Sequence, residues 1–488
     1  MRPFVLACAA LLALLPPASA QDAGTTLTLA DAIQLALQHN RALKVVSYGR
    51  GISRANLLVA RGQFDPYIGF NRSSALDYEP LTLVPPLQIG SYRYDTYGVA
   101  FGGLTPVGTS YTFSENATNE RYNYTGFANN FLAFGGVQVT QHLLKGFGLD
   151  ANLAQVRIQK ANRGISDLQF RDSAINTVTS VVLDYSSLQL AHDSLGTARR
   201  ALSLAQALVT DNEKQYKVGR LAQSDLITAR AQAAALEENV IVSERSVHDA
   251  ENALRELVGE DVFFEDKPLF TLVPIDPPEV TVNLKADLQR ALSMRPDYQE
   301  QRLYIVQSRA AEAAAANGLL PQVDFVGGYG YNGYASTLTA SRQMVDQRMN
   351  ASYSAGLQVT IPLTDAVGRG ALRAAKLSRQ QSEEQLRKLE ADIAYAVTYW
   401  AGQIETTRKR VAANRTAYDL QKQALEAEEK KMLAGSSSTL VVAQQQQYLT
   451  SVENSLAGAL ANERQAVAYY DQALGTSLER YHVTLSVD

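Results

Sequence analysis

Five histidines, His39, His142, His192, His248 and His482, are the residues best suited to metal ligation or proton transfer. They are scattered without metal-ligand spacing. No serine nucleophile elbow and no phosphate-cradling Gly-Lys loop occurs. Gly328-Tyr-Gly330-Tyr-Asn-Gly333 fits G-x-G-x-x-G, but it follows alternating strand residues and does not open a helix, so a dinucleotide has no seat there. A hydrolase of envelope polymers would need carboxylates converging in a cleft, and the sequence locates no such group. No catalytic residue, metal or cofactor is expected, and the chain is not read as an enzyme.

The elements that would position any site are unusual. The chain has 488 residues, 46% hydrophobic and 19% charged, which excludes disorder. A net charge of -4 offers no basic footprint for a phosphate backbone, so nucleic acid is not an expected partner. Arg2, the apolar run from Phe4 to Leu15, Pro16-Pro17 and Ala18-Ser19-Ala20 read as a secretory signal over residues 1–20. Too little apolar sequence precedes Cys8 for a lipoprotein box. Without that segment the chain has no cysteine, and export without disulfides fits a bacterial periplasm or outer membrane. No other apolar run approaches the ~20 residues of a membrane-spanning helix. Entry into a bilayer would therefore use strands.

The sequence reads as two tandem copies. A shift of 255 lays Leu29, Gln34, Leu37, Ser53, Arg54 and Pro66 on Leu284, Gln289, Leu292, Ser308, Arg309 and Pro321, and a shift of 220 lays Gly136–Gly148 on Gly356–Gly368. The expected organisation is a first repeat over 21–258, a mid-height linker over 259–282, a second repeat over 283–475 and a tail over 476–488. Pro66 to Gly136 spans 70 residues against 35 for Pro321 to Gly356, a surplus that suits one added hairpin.

Each copy runs helix, strands, very long helix, sharp turn, helix. Strand zones at 66–143 and 321–363 alternate with period two: Tyr353, Ala355, Leu357, Val359 and Ile361 share one apolar face. Residues 66–143 hold 14 aromatic side chains in 78 positions, as interfacial girdles require. Expected strands of 10 to 13 residues match the ~9–11 of a tilted transmembrane strand, while a soluble sandwich would satisfy the alternation alone. About six strands fall short of the ~8 that a closed membrane barrel needs, so one chain cannot close it. Three chains would supply 18 strands, or 12 if the added hairpin stays outside the wall.

Long helices are predicted over 149–217 and 369–434, each about 100 Å. Leu195, Leu202, Val209 and Tyr216 recur at sevens in the first, and Ile404, Val411, Tyr418, Leu425 and Met432 in the second, which imposes a left-handed supercoil. Helices over 30–63 and 284–318, stacked on those over 221–258 and 437–474, would match the long ones in height and give four columns per chain. A plain antiparallel coiled coil, structural or adhesive and without a pore, is the alternative reading.

LTLADAIQLALQHNRAL at Leu27–Leu43, with VTQHLLKGFG and VTIPLTDAVG at the two strand-to-helix junctions, resembles the TolC-like outer-membrane efflux family over essentially the whole mature chain. The resemblance implies a mixed α and β membrane protein: a homotrimer sharing an outer-membrane β-barrel that continues as a periplasmic α-helical barrel. Its implied partners are outer-membrane lipid, a periplasmic adaptor (membrane fusion) protein and an inner-membrane RND, ABC or MFS transporter. The implied function is a passive exit duct of a tripartite efflux or type I secretion system.

The resemblance also implies that two periplasmic turns contact the adaptor. Here they are YKVGRLAQSD, with Val218, Gly219, Arg220 and Leu221, and MLAGSSST, with Ala434, Gly435, Ser436 and Ser437. Reversing a helix commonly requires a left-handed residue, which gives both glycines a conformational reason. In the family a carboxylate bonded to a tyrosine and an arginine often holds the tip closed. Asp225 matches the carboxylate, but Met432 and Ser437 stand at the other two positions. The acidic ring of some relatives would fall near Val441 and Gln444, both neutral. The cargo is not legible.

Overall fold

The computed structural model describes residues 26–80, 89–259, 270–434 and 436–485. The expected signal segment, Cys8 and Gly435 lie outside the described residues. After a short strand β1 (Thr26–Leu27), a capping box starts α1 (Leu29–His39): the Thr28 hydroxyl accepts the Asp31 N–H at 3.1 Å and the Asp31 carboxylate accepts the Thr28 N–H at 3.3 Å. The helix expected over 30–63 is interrupted at Asn40, whose backbone turns to ψ 120° while its side chain caps α2 (Arg41–Gly62) through the Leu43 N–H at 2.9 Å. Four strands follow, β2 (Tyr67–Pro80), β3 (Ile89–Leu104), β4 (Thr109–Tyr122) and β5 (Phe131–His142). A short α3 (Leu149–Asn152) then breaks at Leu153 before α4 (Ala154–Lys217), and α5 (Gln223–Val258) ends on left-handed Gly259.

The second half starts with β6 (Thr271–Leu272), which pairs in parallel with β1 and ties the first described residues to the linker. A second interruption separates α6 (Leu284–Met294) from α7 (Pro296–Gly318). Arg295 precedes a proline and is forced to extended backbone, so the helix expected over 284–318 cannot be continuous. Between β7 (Gln322–Ala335) and β8 (Ala351–Thr360) stands a helix that the strand pattern did not reveal, α8 (Leu338–Asp346), started by the Thr337 hydroxyl. Asp365 caps α9 (Ala366–Leu433), three residues earlier than expected, and α10 (Thr439–Leu474) follows the second turn. In the tail, α11 (Ser477–Arg480) buries Leu478.

The six long strands form one antiparallel sheet in the order β2-β3-β4-β5-β7-β8, with strands of 10 to 16 residues. The β3–β4 hairpin lies within the wall, between β2 and β5. Cross-strand register sorts the two faces. One face carries Val323 with Val359, Phe325 with Leu357, Tyr111 with Val139, a six-strand row of Ile68, Phe101, Phe113, Val137, Tyr329 and Tyr353, and then Phe70 with Val99. At roughly 3.4 Å per residue these rows span about 27 Å along a strand, close to the ~25 Å apolar band of an outer-membrane barrel. The opposite face presents Asn71, Asn116, Thr118, Gln138, Ser354 and Gln358, as a water-filled interior requires.

The helices stand as four columns. α4 packs against α2 and α5 on one side and α7 and α10 on the other, and α9 packs against α7 and α10. The main cores lie near mid-height, where Ile175, Val178, Val181 and Tyr185 of α4 meet Ile33 and Leu254, and Ile393, Val397 and Ile404 of α9 meet Val467 and Tyr470. Each such side chain contributes about 1.5–3 kcal/mol on burial. Among the described residues, no helix is long and apolar enough to cross a membrane.

Candidate functional site

Three places along the long axis could carry function: the mid-height belt, the polar face of the sheet and the tip where the helices reverse. In the belt, polar groups serve one another. The Tyr185 hydroxyl is fully buried and lies 3.0 Å from the Leu27 carbonyl and 2.7 Å from that of Val273, pinning the β1–β6 pair to α4. Glu251 accepts from Arg255 at 2.6 Å and from the Phe270 N–H at 3.1 Å. Burial, followed by the Asp287 carboxylate 2.6 Å away, pushes the Tyr470 hydroxyl up. Burial also raises the Asp471 carboxyl, against the bond it accepts from Arg480. Among the described residues, no group of three or more His, Cys, Asp or Glu could hold a metal ion. These contacts brace the wall, and Tyr470 and Asp471 also line a cavity of about 380 Å³ with Asp287, Arg290, Glu479 and Arg480.

At the first turn, the Gly219 N–H bonds the Tyr216 carbonyl and the Arg220 N–H bonds that of Gln215, both at 2.9 Å. This Schellman arrangement requires the left-handed φ of +72° that Gly219 adopts. Val218 and Arg220 are thereby left exposed at the extremity, with Leu221 half-buried. Asp225 lies in the first turn of α5, where the helix dipole favours a carboxylate.

The second turn closes by different chemistry. The Ser436 N–H bonds the Lys431 carbonyl at 2.9 Å, and the Ser437 hydroxyl donates to Glu428, whose other oxygen pairs with Lys431 at 3.0 Å. The bond from Ser437 and then that from Lys431 hold the Glu428 carboxyl below its usual range. Ala434 and Ser436 are exposed and Met432 is half-buried.

The two turns lie at the same end. A cavity of about 80 Å³ between α4, α5 and α10 is lined by Asn212, Asp225, Thr228 and Thr439. The structure thus brings Asp225 to α10, while Ser437 is engaged by Glu428. Val441 and Gln444 are exposed and do not line this cavity. Two residues escaped sequence reasoning. Glu428 sits in the charged run Ala-Glu-Glu-Lys-Lys, indistinguishable from a solvated face, and Asn212 is polar at a position that proves to be 1% exposed. Only for Glu428 was there a signal, its spacing nine residues before Ser437 across a turn.

The chain carries a sheet with one apolar face at one end and columnar helices at the other. The family profile described as outer membrane efflux protein matches residues 107–260 and 288–476, together more than half of the chain. The chain belongs to the outer membrane efflux protein family, and so to the channels of the outer membrane whose helical barrel lies in the periplasm. No curated protein sequence matches it significantly. Among solved structures, the outer-membrane channel OprN is similar with TM-score 0.68 at 16% identity, over 92% of this chain and 90% of that one. The VceC outer membrane protein of Vibrio cholerae follows at 0.67 and 18%, over 92% and 96%. The CmeC outer membrane channel of Campylobacter jejuni stands at 0.67 and 15%, over 92% and 86%. At these identities the likeness speaks for the fold.

Proposed function

We propose that three copies of this chain form a passive exit duct, which receives cargo from a periplasmic adaptor and an inner-membrane transporter of the RND, ABC or MFS class and releases it outside. The observation that carries this reading is the open sheet. β2 and β8 are its two edges, they run antiparallel to each other, and one face between them is apolar. In lipid every strand edge must be paired. An even strand number lets β2 of one copy meet β8 of the next in antiparallel register, and three copies would give an 18-stranded barrel. The helical region supports the same closure: Val45, Tyr48, Ile52 and Val59 share one face of α2 and are all more than 60% exposed.

Val218, Gly219, Arg220 and Leu221, with Ala434, Gly435, Ser436 and Ser437, form the adaptor-docking tip in this proposal. Asp225, Met432, Val441 and Gln444 border the aperture. Heat-modifiable migration of the purified trimer and conductance in planar bilayers test the duct. A water-soluble monomer with a finished β-fold would overturn it. Leu221→Asp and Arg220→Glu should each reduce transport with trimer assembly intact, and unchanged export in both would remove the docking assignment.

A further inference from the structure

The apolar face of the sheet, on which α8 rests at Gly135 and Gly333, changes character at the end away from the long helices, where Glu115 already stands on the row of Phe70 and Val99. Beyond the row of Phe70 and Val99, the next rows of β2, β3 and β4 bring Arg72, Arg93 and Arg121 onto this same face. The ladder sets Arg93 directly opposite Arg121, an arrangement of like charges that costs stability unless an anion compensates it. One carboxylate on these rows, Asp95, is already bonded to Arg121. Arg72 and Arg93 lie 5.6 Å and 5.8 Å from the ring centres of Tyr97 and Phe127, and neither forms a salt bridge with a described carboxylate. The nearby Arg342 of α8 is neutralised by Glu115. Three guanidinium groups thus face one carboxylate just beyond an apolar band.

We propose that Arg72, Arg93 and Arg121 bind the phosphorylated headgroup of an outer-leaflet glycolipid, whose acyl chains lie along Ile68, Phe70, Phe101 and Phe113. The inference rests on the reading that this face meets lipid with the helices on the periplasmic side. The chemistry favours a lipid over a free anion because guanidinium groups and an apolar wall are continuous on one face. Guanidinium also matches phosphate in bidentate geometry.

The test uses the full-length protein purified in detergent, incubated with bisphosphorylated lipid A or the same lipid after dephosphorylation, and read by native mass spectrometry. The phosphorylated form should be retained about tenfold better, and Arg93→Gln with Arg121→Gln should abolish that preference. Arg72→Gln, on an exposed edge strand, should lower it in part and covers the case in which the double variant fails to assemble. Equal retention of both lipids, or undiminished preference in assembled variants, would overturn the proposal. Displacement of the lipid by millimolar inorganic phosphate would reassign the cluster as a plain anion site. A wild-type chain that forms no heat-modifiable barrel would refute the membrane reading itself, a separate failure from an assembled barrel that ignores phosphate.

Discussion

Gly333 is the position where one methyl group should have the largest effect on the outer end of the sheet. It faces α8, and a Cβ there would lie 1.8 Å from the carbonyl oxygen and 2.7 Å from the carbonyl carbon of Ser341. Both are backbone atoms, so no rotamer change relieves the clash, and α8 would have to withdraw by roughly 1.5 Å to restore ordinary contact. That displacement strains the Arg342–Glu115 pair and lifts Val345 from Gly135. Overpacking of this kind costs about 1–3 kcal/mol, which raises the open population of α8 by about 5- to 150-fold. Trypsin cleavage after Arg342, followed on the assembled protein at low protease, reads that population directly. Gly333→Ala should accelerate cleavage within that range. Gly135→Ala meets the movable Cγ1 of Val345 at 2.6 Å, with Glu115 Cγ at an ordinary 3.9 Å, and should have a smaller effect. Gly356→Ala has nothing within 4 Å and serves as the control. If Gly333→Ala and Gly356→Ala cleave alike, α8 does not rest on the sheet as described.

In the belt, Tyr185→Phe removes the hydroxyl donor of the Val273 carbonyl, 2.7 Å away, and should destabilise the protein by about 1–3 kcal/mol, seen as a lower midpoint in denaturant or heat. At the second turn, Glu428 has a carboxyl held below its ordinary value of 4.5, so its stabilising bonds are fully present above that value and are lost as pH falls through the lowered one. Exchange of the Ser436 amide, corrected for intrinsic rate, should therefore speed up only at acid pH, and Ser437→Ala should weaken that pH response. Neutral Val441 and Gln444 in the proposed aperture predict weaker block by multivalent cations than in relatives with acidic rings; strong block in single-channel recordings would contradict this.

Local pattern carried much of the architecture. Period-two alternation at 351–361 gave a strand and its apolar face, because a pleated strand turns successive side chains to opposite sides. Seven-residue spacing from Ile404 to Met432 gave a long packed helix, of which Ile404, Val411 and Leu425 are buried. Gly219 announced its turn through the left-handed backbone that glycine adopts at little cost.

What depended on neighbours in space was not legible. Asn40 interrupts a run that reads as helix because its side-chain amide caps α2 and also donates to the Leu257 carbonyl at 3.0 Å, 217 positions away. Helix α8 sits between two strands because Gly333 and Gly135 leave room for it on the sheet. The arginines of the outer rim are spread over 50 positions of sequence, and only strand register brings Arg93 against Arg121. Composition and period thus determined which elements form and which faces avoid water, since those follow from each segment's own side chains. The cavity shared by Asp225 and Asn212 and the arginine cluster were decided by tertiary packing, because their members lie on different elements and only helix packing or strand register brings them together.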